Sequence, residues 1–364
     1  MISRVAPPPI RLAVALLAAA FAAPATAQTV RGQVLEADDA PVASVVVVLH
    51  GERGERLRAT LADAQGRFEV RVPAPGAYRL SAERAGYATA APVSVEVPRG
   101  GVAGIVLRAD SRRIVLPVVA ARGRRRACDG ELSGGARTAV LWEEARKALQ
   151  AAALAEDEGR YRYRIRMERM RTNLHGRTLW GRALWHVESG GVPFASFSGE
   201  KLVREGYMQV LGDSVVFHGL TAAAILSDAF LGAHCFGVRE GGEEHPGLVG
   251  LAFVPLRGRV LPDVRGVLWL DRASGELRFV EYSYTRLAFR GPTGGVGGRF
   301  DFRRLPNGVW VTWRWTIRAP LLHEDAESLA LETFGRYRMA GFQVTSAEVL
   351  AVLEGDREVM DVFP

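Results

Sequence analysis

The stretch DAQGRFEVRVPAPGAYRL, residues 63–80, decides the fold of the first part of the chain. Apolar and polar side chains alternate over residues 68–72, which is the pattern of a strand with one buried face. Gly66 lies in a tight turn before this strand, and Pro75-Gly76 forms the turn after it. The stretch therefore predicts a turn, a strand, a second turn and a returning strand.

Further short strands are predicted on both sides of this stretch, at residues 30–34, 44–49, 78–82, 93–97 and 105–107. The run at 44–49 is almost entirely apolar and rich in valine, which is typical of a strand buried on both faces. Many short strands separated by turn residues favour a β-sandwich. We therefore predict a β-sandwich domain over residues 28–109.

Five short motifs in this domain carry a family resemblance: Gly32-x-Val34, Pro41-Val42, Asp63-x-x-Gly66-x-Phe68, Pro75-Gly76-x-Tyr78 and Gly86-Tyr87. Their order and spacing resemble the carboxypeptidase regulatory-like domain, which has a transthyretin-like or starch-binding-like β-sandwich fold. The resemblance implies a non-catalytic module that binds a carbohydrate, a peptide or a protein. It transfers no site residue, because the motif positions are turn and core positions.

Residues 1–27 have the pattern of a secretory signal: Arg4 and Arg11, an apolar run over 12–23, and a small-residue cleavage site at 25–27. The apolar run is too short for a bilayer, which needs about 20 residues. We expect export to the periplasm or the extracellular space, with outer-membrane association as an open alternative. We expect no transmembrane segment in residues 28–364.

The chain has 47 basic and 40 acidic residues, and loss of the signal lowers its net charge from +7 to +5. Basic residues are spread along the chain, except for a cluster at 122–126 in a predicted linker, residues 110–127. A nucleic-acid-binding surface needs a concentrated basic stripe with aromatic neighbours, so we expect no nucleic-acid partner. The cluster is either a solvated charge run or a weak contact for an anionic membrane surface.

The chain has two cysteines, Cys128 and Cys235. An even number of cysteines in an exported protein favours a disulfide. The alternative is two separate buried thiols.

Residues 128–364 are predicted to form an α+β domain. A helix is expected over 139–155, with Glu143 and Lys147 as a favourable pair one turn apart. The strand that begins at Tyr161 alternates strictly and places Arg162, Arg164 and Arg166 on its wet face. These arginines either meet an anionic ligand or pair with acidic cross-strand neighbours.

The remaining pattern is mostly a β-meander. Strands are predicted at 177–187, at 201–203 and on both sides of the 212–213 turn, and a short helix capped by Thr221 is predicted over 221–231. Further strands follow at 247–254, 264–271, 276–289, 298–302, 309–318 and within 334–353. The fold class is thus mainly β: an N-terminal β-sandwich, then an α+β domain with a curved antiparallel sheet and helices over its concave side.

The aromatic side chains of this domain allow two interpretations. The phrase LWLDRASGELRFVEY, residues 268–282, and the order of elements resemble the periplasmic lipoprotein-carrier half-barrel. That resemblance implies a cavity for an acyl chain or another apolar ligand, with Trp313 and Trp315 on one strand face and Tyr282 and Tyr284 beside them. The alternative is that these four side chains fill an ordinary core.

No motif in the sequence identifies a catalysed reaction. The chain has no zinc-peptidase motif, no nucleophile elbow and no phosphate loop. His234, Cys235 and His245 form the one local group that could bind a metal, and their spacing matches no common zinc site. We therefore predict no catalytic residue, no metal site and no cofactor.

The sequence favours an exported, non-enzymatic binding or envelope-associated protein, with the sandwich as the binding module. Its partner would be an envelope protein, a glycan or an apolar ligand. One alternative is a carrier of an apolar ligand in the second domain, and another is a hydrolase without a recognisable motif.

Overall fold

The structure, a computed structural model, describes residues 28–116, 135–211, 214–287, 289, 294–324 and 337–361. The predicted signal at 1–27 and the basic cluster at 122–126 lie outside these ranges. The first domain contains the strands β1 (Gln28–Leu35), β2 (Val46–His50), β3 (Arg56–Leu61), β4 (Arg67–Val72), β5 (Gly76–Glu83), β6 (Val93–Val97) and β7 (Val102–Arg108).

These strands form two sheets, in the orders β4-β1-β7 and β3-β2-β5-β6. The sheets enclose a core that includes Val30, Leu49 and Leu80, so the predicted sandwich is confirmed. The turn before β4 is held by Asp63, whose carboxylate accepts hydrogen bonds from the backbone N–H groups of Gln65 and Arg67. The sequence did not predict β3, because its first three residues are exposed and two of them are arginine.

The second domain has four helices and twelve strands within the described residues. They are α1 (Gly135–Asp157), β8 (Tyr161–Asn173), β9 (Thr178–Gly190), α2 (Gly199–Glu205), β10 (Met208–Leu211), β11 (Ser214–Phe217), α3 (Ala222–Leu226), α4 (Asp228–Ala233), β12 (His234–Glu240), β13 (Leu248–Pro255), β14 (Asp263–Asp271), β15 (Leu277–Thr285), β16 (Gly297–Arg304), β17 (Trp310–Glu324), β18 (Tyr337–Glu354) and β19 (Arg357–Asp361). No described helix combines the length and the apolar character that a membrane crossing requires.

Ten of these strands form one antiparallel sheet in the order β12-β13-β14-β15-β16-β17-β18-β8-β9, with β19 added beside β18. Helix α1 contacts β12 to β15 and also β17, so the sheet curves around it. We call the face that contacts α1 the inner face and the opposite face the outer face. The predicted curved antiparallel sheet is confirmed.

Two predictions of elements in the second domain are wrong, and two strands were not predicted. Residues 201–203 are not a strand but part of helix α2, which Ser198 caps by accepting from the Lys201 backbone N–H. The helix predicted over 221–231 is two short helices, because Ser227 ends α3 and caps α4. Strands β12 and β19 were not predicted.

The predicted pairing of Glu143 with Lys147 is also wrong. Glu143 pairs with Arg146, and Lys147 pairs with Glu144. Both Lys147 and Glu144 are buried, because the outer surface of α1 is covered by the sandwich. The prediction assumed a helix face open to water.

The sandwich packs directly onto α1. Val46, Val48 and Leu61 belong to the same core as Leu141 and Ala145 of the helix. The adjacent residues of β2, such as Val47, face the interior of the sandwich. Strand β2 is therefore buried on both faces, as its apolar run predicted.

Candidate functional site

The contact between the two domains is completed by buried charges, which we call the docking interface: Glu83, Glu144, Arg146 and Lys147. Lys147 and Glu144 are only 4% and 2% exposed and lie 2.7 Å apart. The Lys147 ammonium also donates to the Tyr87 carbonyl at 2.9 Å, and the Glu144 carboxylate accepts from the Gly86 backbone N–H at 2.7 Å.

Gly86 is required at this contact for two reasons. Its φ of +79° is favoured by glycine, and a Cβ there would lie 2.2 Å from the Ser274 carbonyl oxygen. Nearby, Glu83 accepts hydrogen bonds from Arg56 and Arg146. Burial alone would raise the pKa of Glu83, but the two arginines outweigh burial and lower it. The docking interface is thus fully paired and has a structural role.

A different environment lies on the inner face of the ten-stranded sheet, where Tyr282 and Tyr284 meet edge to face with ring centres 5.5 Å apart. Tyr207 is fully buried, within electrostatic reach of Tyr282 and of Asp263. The Tyr284 hydroxyl donates to the His218 carbonyl at 2.9 Å. The Tyr207 hydroxyl has no hydrogen-bond partner among the described residues.

Half-buried aromatic side chains extend this cluster. Phe217 packs against Tyr284 at 5.3 Å, and Phe197 packs against the His218 ring at 4.4 Å. Phe194 lies 4.8 Å from Trp315. We call this set the tyrosine site: Tyr207, Tyr282, Tyr284, Phe194, Phe197, Phe217, His218 and Trp315.

The tyrosine site offers neutral hydrogen-bonding groups. Burial, followed by the charge of Asp263, raises the pKa of Tyr207, and burial raises those of Tyr282 and Tyr284. Burial, followed by Lys201, lowers the pKa of His218. The site can therefore donate hydrogen bonds inside an apolar wall at neutral pH, but its tyrosines cannot act there as bases.

Three of the four predicted cavity residues, Trp315, Tyr282 and Tyr284, lie in this site. Trp313 does not, and its predicted face is wrong. Asp301 pairs with Arg314 and Phe302 pairs with Thr312, so Trp313 is the extra residue of a β-bulge. Its ring lies 4.4 Å from the guanidinium carbons of both Arg303 and Arg314.

Other residues singled out in the sequence have structural roles. His234 is fully buried, with Nδ1 2.9 Å from the Phe230 carbonyl and Nε2 3.2 Å from the Asp263 carboxylate. His245 instead packs on Trp269. Within the described residues, no group of three or more His, Cys, Asp or Glu side chains could hold a metal ion.

Two further predictions concern side chains on strands. Arg162, Arg164 and Arg166 each have an acidic partner, namely Asp356, Glu358 and Glu348. Cys235 is buried in β12, but Cys128 lies outside the described residues, so their disulfide stays a prediction.

The sandwich carries a shallow groove of about 370 Å³ on the part of the β5–β6 surface that α1 leaves open. Its wall consists of Glu52, Ala77, Tyr78, Arg79, Ser94, Val95 and Glu96. Tyr78 is the aromatic residue of this wall. Its ring packs into the sandwich core, and its hydroxyl donates to the Ala74 carbonyl at 2.8 Å. The groove therefore offers mixed charges rather than an aromatic platform.

Comparison with known proteins confirms the resemblance of the first domain. Residues 29–109 match the family model of the carboxypeptidase regulatory-like domain. A search of curated proteins found no match to the chain.

Solved structures match only distantly. The minor pilin GBS52 of Streptococcus agalactiae is 18% identical over 26% of this chain and 49% of its own, with a TM-score of 0.20. A DUF3823 family protein from Parabacteroides merdae is 10% identical over 45% of this chain and 80% of its own, with a TM-score of 0.20. The major pilin subunit BcpA of Bacillus cereus is 10% identical over 79% of this chain and 92% of its own, also with a TM-score of 0.20. This chain thus spans about half the length of GBS52, and similarity at this level assigns no function.

Proposed function

We propose that this protein is an exported, non-enzymatic binding protein whose second domain binds an apolar ligand at the tyrosine site. One observation carries the proposal: the buried Tyr207 hydroxyl has no partner among the described residues, and it lies within electrostatic reach of Tyr282, which packs on Tyr284. The half-buried Phe217 packs on Tyr284 in turn. A buried unpaired hydroxyl costs about 1–3 kcal/mol, so a ligand group that accepted its hydrogen bond would gain from it. Binding sites for small molecules typically combine aromatic walls with a few polar groups.

The rim of the site suggests the ligand class. Lys201, one of two lysines in the chain, lies with its ammonium 3.5 Å from the centre of the Phe197 ring. A cation beside an apolar wall suits an amphipathic molecule with an anionic head group, such as a fatty acid. Export rests on the signal-like pattern of residues 1–27.

The test is a fluorescence titration of the delipidated protein with dansyl-labelled undecanoic acid. We expect one probe per chain, and we expect Phe197→Ala to weaken binding about tenfold through lost contact area. Val260→Ala is the matched control, since Val260 is 84% exposed and not part of the site. Saturable binding that both variants retain equally would place the ligand elsewhere, and lack of any binding would refute the proposal.

The groove on the sandwich favours a second candidate function, the binding of an extended peptide. Strand β6 is an edge of its sheet, and Arg79 and Glu96 supply charges of both signs beside it. The test is isothermal titration with a random peptide library of mixed charge, against the variant Arg79→Ala. Heat that the variant abolishes supports the candidate, and equal heat from both proteins contradicts it.

A further inference from the structure

Strand β9 forms an unusually open edge of the ten-stranded sheet. It has 13 residues, and among the described strands it pairs only with β8. Leu179, Leu184 and Val187 are 51%, 54% and 38% exposed. The opposite edge, β12, has only seven residues, and its first three are buried. Long apolar edge strands readily add another strand, and proteins usually cover or charge them.

The apolar inner face of the sheet continues to this open edge. One transverse row of directly paired residues runs through Phe300, Trp315, Ala347, Met167 and Trp185. Directly paired residues share a face. The first three are buried, whereas Met167 and Trp185 are only half-buried. Among the residues that the structure describes, the inner face therefore ends without a cover at β9.

We propose that β9 pairs antiparallel with β9 of a second copy of this chain, about a two-fold axis at Trp185. A two-fold axis at one residue pairs the positions that lie equally far before and after it. Trp185 then meets its own copy, and Ala183 meets Val187. Arg182 meets Glu188, and the axis generates this ion pair twice.

Charge complementarity favours this register over the one whose two-fold axis lies one residue earlier. An axis at Leu184 would place Arg182 opposite His186, where no attraction arises. Arg182 is 69% exposed even though it already bonds to Glu168 of β8, so its guanidinium can reach a second carboxylate. Glu188 is exposed on the same face, two residues beyond His186.

Pairing with a second copy supplies hydrogen-bond partners to the backbone edge of β9 in both chains, because β9 lies on each side of the axis. The axis runs perpendicular to the sheet, so both inner faces lie on the same side of a continuous twenty-stranded sheet. The closed two-fold arrangement leaves no β9 edge for further growth, which limits the assembly to a dimer.

The test is the mass of the full chain by sedimentation equilibrium, over a concentration series that reaches about 100 μM, where a micromolar dimer is fully formed. We expect a dimer. Val187→Lys should give a monomer, since it places a charge within the paired region. Leu179→Lys is the matched control: it adds the same charge on the same strand, but its partner position lies beyond the end of β9, so the dimer should persist.

The charge pair tests the register. Arg182→Glu and Glu188→Arg should each weaken the dimer at least tenfold. The double variant R182E/E188R should restore it, because the pair is reversed rather than lost. Circular dichroism checks that each variant is folded. A wild-type monomer at every concentration, or a double variant no stronger than the single ones, would overturn the proposal.

Discussion

The docking interface and the tyrosine site are both buried regions next to the same sheet, yet they differ in how their polar groups are satisfied. At the docking interface, Glu144 and Lys147 pair with each other and with backbone groups of the sandwich. At the tyrosine site, the Tyr207 hydroxyl has no such partner among the described residues. Complete pairing is expected of a contact that holds the fold together, whereas a buried hydroxyl without a protein partner can be satisfied by an ordered water or a bound ligand.

The largest effect is expected from breaking the docking interface. Lys147→Met should lower the free energy of unfolding by about 3–5 kcal/mol, because it leaves the Glu144 carboxylate buried without its counter-charge. Urea unfolding measures the change. The double variant E144Q/K147M should recover part of the loss, since no uncompensated charge remains. A loss below about 1 kcal/mol for the single variant would show that the interface opens in solution.

Glu156, near the end of α1, has no cationic partner among the described residues. Burial raises its pKa from the ordinary 4.5 to about 8, although a hydrogen bond with Thr312 lowers it slightly. The folded protein therefore keeps this carboxyl protonated at a pH where the unfolded chain is ionised. Its contribution to stability is complete below pH 4.5 and is lost as the pH rises to 8.

Glu156→Gln should remove this dependence. At pH 8.5 we expect the variant to be about 3 kcal/mol more stable than the wild type, less than the full shift implies because the side chain retains some exposure. At pH 4 the two should be nearly equal. Urea unfolding at both values provides the measurement, and parallel pH profiles would contradict the assignment.

Tyr284→Phe should have a smaller effect. It removes the hydrogen bond to the His218 carbonyl and keeps the ring, so the loss should be about 1 kcal/mol. Thermal unfolding at neutral pH is sufficient. No change would mean that the Tyr284 hydroxyl is satisfied equally well in another way.

Tyr207→Phe should have the opposite sign: it should raise the free energy of unfolding by about 1 kcal/mol, because it removes a buried hydroxyl that makes no hydrogen bond among the described residues. The same variant should weaken binding of the dansyl probe if the hydroxyl contacts the ligand. A stability loss equal to that of Tyr284→Phe would mean that the Tyr207 hydroxyl is hydrogen-bonded as well as the Tyr284 hydroxyl is, which contradicts the prediction.

The sequence predicted the parts of the fold that depend on local pattern. Alternation gave the two faces of β8. The turn residues around Gly66 gave the turn before β4, and those around Asn307 gave the hairpin of β16 and β17. It failed at Trp313, because the β-bulge there interrupts the alternation of faces and depends on how the partner strand pairs. It also failed at β12, because His234 and Cys235 indicated a local group of metal-binding residue types and not the start of a strand.

The tyrosine site could be predicted only in part. Trp315, Tyr282 and Tyr284 were recognisable as aromatic residues on strands. Tyr207 and Phe197 come from short connecting segments, and only the folded chain brings them to the sheet. Phe197 stands between two serines and Tyr207 between Gly206 and Met208, and such local settings are too common to identify a site.

The burial of β2 on both faces limits how this sandwich can be used in evolution and in the laboratory. One side of the strand packs inside the sandwich and the other packs on α1. If the sandwich were moved alone into another protein, Val46, Val48 and Leu61 would form an exposed apolar patch that promotes aggregation. In this chain, the sandwich is therefore not an independent module, and we expect it to be inherited together with α1, the helix that covers it.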